Sequence, residues 1–191
     1  AYYADVYGIA MDFDEQTLAN EDAVLEIRSA GAETLVTRCL IEREQQFASS
    51  FFSAGVWTTD VTPANLWSDY TNSTPISDVT TGRRTMQLLS GGMKPNTMVI
   101  GKEVRDVLIN HPDVLARLNG GATVTNTALI TDAKLAEIFE VENFFVMEAV
   151  ANTAAEGLAE SNAFIGGKNA LLVHTPRASG LMTPAAGLTF A

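Results

Sequence analysis

The sequence predicts an α+β fold, and three observations carry the prediction. Residues Glu21 to Phe47 hold apolar side chains at helical spacing over far more turns than usual. Short apolar runs such as TMVI (Thr97–Ile100) and FFVMEAV (Phe144–Val150) read as strands. Helices and strands then alternate unevenly, between long loops, where a doubly wound sheet would alternate regularly.

Taken in order, Tyr2 to Phe13 alternates loosely and reads as an extended arm, with Gly8 as a weak point. Asn20 is placed to cap the long helix, with Glu21 and Asp22 where the helix dipole favours negative charge. Val24, Ile27, Gly31, Leu35, Leu40 and Ile41 recur along it, and 27 residues would span about 40 Å. The spacing does not sustain a heptad, so this helix is expected to act as a spine and not as a coiled coil. Gly31 should weaken it by about 1 kcal/mol unless something packs closely there. Phe51-Phe52 and GVWTTDVT suggest a strand, and the polar stretch Trp67 to Pro75 (WSDYTNSTP) marks the best internal boundary.

Ser77 is expected to cap a helix bearing Val79, Gly82, Met86 and Leu89, ended by Gly91-Gly92. Strand Thr97 to Ile100 follows, then a helix from about Lys102 that Pro112 stops by holding His111 extended. Pro112 itself suits the first position of another helix, through Leu118. Thr131 should cap a helix with Leu135, Ile138 and Phe139. Phe144 to Val150 reads as one buried strand, NTAAEGLAES as a loop, and Leu171 to His174 as a final strand.

Composition narrows the functions. Twelve Lys and Arg face 23 Asp and Glu, a net charge of −11, which disfavours broad gripping of nucleic acid. The bases are scattered, with Arg83-Arg84 the one adjacent pair, and no basic patch is expected. A mean hydropathy of +0.10 favours a chain that buries surface against copies of itself. The single cysteine, Cys39, excludes an intrachain disulfide and reads as a buried inert thiol. No run is long and apolar enough for a membrane span, and AYYADVYGIAMDFDE has no basic start of a signal peptide. The chain opens without Met and ends in an apolar run, so both ends are expected to continue in a longer polypeptide.

No catalytic, cofactor or metal constellation emerges. Gly101 sits between strand and helix, but a phosphate loop needs several glycines or a G-x-x-x-x-G-K-S/T run, so a tight corner is the reading. His111 and His174 lack a nucleophile elbow or H-E-x-x-H partner and read as a helix stop and a strand end. The acid pairs Asp12 with Asp14 and Glu21 with Asp22 read as solvated helix starts. Trp57, Trp67 and Tyr70 flank loops and could anchor a partner or fill the core. Lys168-Asn169 is an adjacent pair of the kind that arises by chance, and is not read as a cross-link.

PNTMVIG, a helix, NHPDVLARL, LITDAKLAEIFEV, FFVMEAVANTAAEG, GGKNALLVHTP and GLMTPAAGLTFA follow in that order. Together with WSDYTNSTPISDV, that order resembles the tailed-phage major capsid proteins, from about Asn20 to Ala191. The resemblance implies the Hong Kong-type phage capsid fold. Residues 1–19 would be a remnant of an extended loop or arm, and 20–76 a peripheral domain with the spine helix and sheet. Residues 77–163 would form an axial domain, and 164–191 strands near Leu171 and Phe190 returning to the peripheral sheet.

The function implied is that of a non-enzymatic subunit of an icosahedral shell around double-stranded DNA, assembled in the bacterial host cytoplasm and resident in the virion. Its partners would be copies of itself in pentamers and hexamers, with scaffold, portal or decoration proteins and weak non-specific contact with DNA. It would need no cofactor, metal or membrane. Two alternatives are an encapsulin-like nanocompartment shell and, from another class, a small acidic enzyme using His111 or His174.

Overall fold

The computed structural model describes residues 7–20, 26–57, 59–120, 130–155, 157–178, 180 and 183–187. Its elements are α1 (Glu15–Ala19), α2 (Ile27–Phe51), α3 (Pro75–Leu89), β1 (Thr97–Gly101), α4 (Lys102–Leu108) and α5 (Pro112–Leu118). Then follow α6 (Asp132–Phe139), β2 (Asn143–Met147), β3 (Val150–Asn152), β4 (Asn162–Phe164) and β5 (Ala170–Val173). The class is α+β, as predicted.

The core forms around β1, the central strand of a three-stranded sheet ordered β2-β1-β5. β1 runs parallel to β2, with Met98 opposite Phe144 and Ile100 opposite Val146, and antiparallel to β5, with Met98 opposite Leu172. A parallel neighbour needs a crossover, and α4, α5 and α6 lie on it. Met98 and Ile100 pack with Val104 and Leu108 of α4, Val114 of α5, Leu135 and Phe139 of α6, and Ile76 and Val79 of α3. Leu108, Leu135 and Phe139 are essentially sealed from solvent, and each such burial stabilises by about 1.5–3 kcal/mol. A separate hairpin pairs β3 with β4, and α2 meets this body at β3.

Asn96, just before β1, ties the starts of β1 and β2 to the end of β5. Its carbonyl accepts the N–H groups of Glu142 and Asn143, and its N–H donates to the Val173 carbonyl. Its side-chain amide donates to the Thr175 carbonyl at 2.7 Å and accepts the Thr175 N–H at 2.8 Å. The side chain thus continues the pairing with the chain just past the end of β5, while the Asn96 backbone binds the start of β2, which accounts for an Asn at that place in PNTMVIG.

Several local expectations change. Asn20 ends α1, with its N–H donating to Gln16 and Leu18 carbonyls, and does not cap the long helix; Glu26 precedes α2 without a side-chain cap. Glu21 and Asp22 lie outside the described residues. α2 continues to Phe51, and 52–57 form bends and turns in place of the expected strand, because Trp57 folds back on the helix end. α3 starts at Pro75, two residues before Ser77: proline needs no N–H partner at a first helical position, and Asp113 of α5 accepts the next orphan donor, Ile76 N–H, at 3.2 Å.

Gly91-Gly92 closes α3 as expected, with φ of +73° and +109° and Gly92 N–H returning to the Gln87 carbonyl. Thr131 does precede α6, although its side chain makes no capping bond. Phe144 to Val150 is not one buried strand: it divides into β2 and β3, and Phe145 is 56% exposed because this sheet has an open face. The strand near Leu171 pairs with β1 and belongs to the three-stranded sheet. Phe190 lies outside the described residues.

Candidate functional site

His111 is the residue that chemistry would single out, and it is only 1% exposed. Pro112 holds it extended, at φ −74° and ψ 128°, as predicted, and this makes it the N-cap of α5. Nδ1 accepts the Asp113 N–H at 3.1 Å. Nε2 lies 2.9 Å from Ser73 Oγ, whose hydroxyl donates in turn to the Asp69 carbonyl. That chain of donors assigns a neutral ring with its proton on Nε2. Tyr70 closes the site edge-on at 5.5 Å. Burial pushes the His111 pKa below its ordinary value, against the raising influence of Asp113. Both nitrogens are therefore committed to joining the 69–73 turn to α5, and neither is presented to a substrate.

His174 is half-buried, with Nδ1 2.7 Å from the Lys94 backbone carbonyl oxygen. One groove on α2 is lined by Ala30, Glu33, Thr34, Thr37, Arg38 and Ile41; another, of about 230 Å³, is lined by Thr80, Arg83, Arg84, Gln87, Lys94 and Pro95. Neither contains a histidine. Among the described residues no group of three His, Cys, Asp or Glu side chains could hold a metal ion.

The remaining candidates serve structure. Asp14 caps α1 by accepting the Thr17 N–H, and bonding from Thr17 holds its carboxyl below the usual carboxylate range; Asp12 is exposed beside it. Trp67 donates from Nε1 to Asp78 at 2.9 Å and packs on the core. Trp57 donates to the Phe51 carbonyl at 2.7 Å and joins Phe47, Phe51 and Phe52 in an aromatic cluster at the end of α2. Lys168 is exposed and pairs loosely with Glu103 at 3.8 Å; the Asn169 carbonyl accepts the Gly101 N–H at 3.1 Å. Cys39 is exposed on α2, not buried, because that stretch of the helix has nothing packed over it.

Gly101 is a glycine for a reason its position between strand and helix conceals. Its backbone is extended, open to any residue, but a Cβ there would lie 2.0 Å from the Gly167 carbonyl oxygen. The loop after β4 crosses β1 backbone to backbone, and the contact is reciprocal: a Cβ at Gly166 would lie 2.9 Å from Gly101 Cα. Gly31 has a like role on α2, since an added Cβ would fall 2.5 Å from Phe13 Cζ. The arm packs against the weak point of the helix.

Three features invisible in the sequence are surfaces. On α2, Val36, Leu40, Phe47 and Phe51 are 59, 50, 37 and 39% exposed, and at 100° per residue they fall within about 60° of the circumference. That stripe lies opposite Gly31. On the open sheet face, Leu171, Val99 and Phe145 stand side by side across three strands. Finally, Arg83, Arg84 and Lys94 line one groove, where the sequence predicted no basic patch. The turn at Gly91-Gly92 returns Lys94 to α3, a proximity that no spacing rule signals.

Among solved structures, a phage-related protein from Bordetella bronchiseptica RB50 matches with a TM-score of 0.66 at 18% identity, over 84% of this chain and 51% of that one. The two share a fold, and this chain spans about half the length of that protein. No curated protein matches the sequence. Residues 56–187 match the family of phage major capsid protein E, a stretch that contains the whole three-stranded sheet, its helices and the β3–β4 hairpin. With well over half of its length inside that match, the chain belongs to the phage major capsid protein E family.

Proposed function

We propose that this chain is the shell subunit of a tailed phage, assembling with copies of itself into pentamers and hexamers of an icosahedral capsid around double-stranded DNA. Its place would be the virion, and its fold the Hong Kong type, with α2 as the spine of a peripheral domain and the β1-centred core as the axial domain. One observation carries this reading: α2 is a helix of 25 residues, and Gly31 is the one residue of it that is buried.

Most of a helix's stability in a protein comes from tertiary packing of one face, which α2 largely lacks within its own chain. An exposed Leu or Phe gains about 1.5–3 kcal/mol when a neighbour covers it. The chain also presents 13,820 Å² to solvent, against about 8,800 Å² for a compact monomer of its mass. The surplus fits a subunit finished by its neighbours, and the family match fits the same role. The commitment of both His111 nitrogens weighs against an enzyme.

Electron microscopy and sedimentation of the complete polypeptide test the proposal. Closed shells or capsomer rings are expected, and a product that stays monomeric under every assembly condition tried would sink it.

A further inference from the structure

The groove between α3 and the turn before β1 concentrates charge that the total conceals. Arg83 and Arg84 come from α3 and Lys94 from the turn. Arg117 of α5 also acts on Glu140, together with Arg83 and Lys94. These five groups sum to +3 in a chain of −11, which leaves −14 on the remainder. Copies of such a chain repel one another at long range, and electrostatic attraction between them requires a locus of opposite sign.

Glu140 shows what the groove accepts. It follows α6 in the left-handed region at φ +52°, at the position where a helix end favours glycine. From there its carboxylate reaches Arg83 in a direct ion pair, and that pairing, Arg83 first, pulls its pKa down. Arg83 Nε remains buried without a partner. Arg84 and Lys94 are exposed, and neither forms a salt bridge among the described residues. Arg83 holds the carboxylate in a direct ion pair; Lys94 acts on it only through space, and Arg84 forms no ion pair among the described residues.

We propose that this groove is a docking contact for a second copy of the chain, with an acidic side chain of the neighbour seated between Arg84 and Lys94. The inference rests on the shell-subunit reading and names one of its contacts. A carboxylate suits the site better than a nucleic-acid backbone, because the surrounding −14 opposes a dense polyanion, whereas a neighbour offers single carboxylates from 23 acidic residues. Guanidinium and ammonium groups at such a rim set encounter rate and partner register.

The test is charge reversal, Arg84→Glu with Lys94→Glu, in the complete polypeptide, followed by sedimentation velocity at low and high salt. Both residues are exposed, and circular dichroism checks that the fold is kept. Self-association is expected to fall at least about tenfold at low salt, and the salt dependence seen in the wild type should flatten. Neutral Arg84→Gln with Lys94→Gln should lose less, in the same direction, and Arg84→Lys should retain association.

If the reversed protein assembles like the wild type, the contact is overturned while the shell reading stands. A wild type that never associates removes both. Binding of double-stranded DNA that is lost on reversal, with self-association unchanged, overturns the contact in favour of phosphate.

Discussion

The α2 limb and the β1-centred body handle their apolar side chains in opposite ways. In the body, Met98, Ile100, Leu108, Leu135 and Phe139 interlock within a single chain and are almost wholly withdrawn from water. Along α2, Val36, Leu40, Phe47 and Phe51 stay open, and internal support comes from Phe13 at Gly31, the Phe47–Phe51–Trp57 cluster and a touch at β3. The difference teaches that the two regions have different reference states. The body buries its apolar core within the chain, whereas α2 leaves an apolar stripe uncovered, so on the proposed shell role core substitutions should register as stability and stripe substitutions as association.

Gly101→Ala should give the largest effect on that contrast. The new methyl meets backbone, a carbonyl oxygen that cannot swing aside, so β1 or the 166–167 loop must move. We expect a loss of about 3 kcal/mol, measured by denaturant unfolding, with an unchanged helical signal from α2. A loss below about 0.5 kcal/mol would show that the two backbones are not in contact.

Acid should act on the body through His111. Its folded pKa lies below its unfolded value, so the folded state prefers the neutral ring. The stability this lends is whole above the unfolded pKa, near 6.5, and declines as pH falls below it towards the folded pKa, where the decline stops. The slope is at most about 1.4 kcal/mol per pH unit. Denaturant midpoints between pH 7 and 5.5 should show it, and His111→Asn, which keeps a capping oxygen, should flatten it. An equal slope in both proteins would assign the effect to other groups.

The smallest effect on the isolated chain, and the sharpest on the comparison, belongs to Leu40→Ser. Because Leu40 is half exposed, unfolding stability should move by less than about 0.5 kcal/mol, while light scattering should record reduced self-association. A large loss of stability with intact assembly would place the stripe inside the fold and undo the contrast drawn above.

Much of the body was legible in the sequence because local rules decide it. Pro112 stops one helix and starts the next, Gly91-Gly92 closes α3, and TMVIG between turn signals is a strand. Each depends on residues within a turn of one another. Errors arose where a distant partner overrode local preference. Ser77 lost the start of α3 to Pro75 and Asp113, and the FFVMEAV run divided between two sheets. Cys39 looked buried because its apolar neighbours imply a core that this chain does not itself provide. The groove escaped notice because Arg84 and Lys94 are ten residues apart with a turn between them.

By itself, then, the sequence determined the α+β class, the long helix and the order of the elements from α3 to α6, all properties of spacing, capping and composition. Only the tertiary structure decided why Gly101 and Gly31 are glycines, that Asn96 ties three strands together, that His111 is a locked scaffold residue, and that three scattered bases form one groove. Those depend on contacts between segments tens of residues apart, whose formation is set by chain topology and close packing and leaves no period or motif in the sequence.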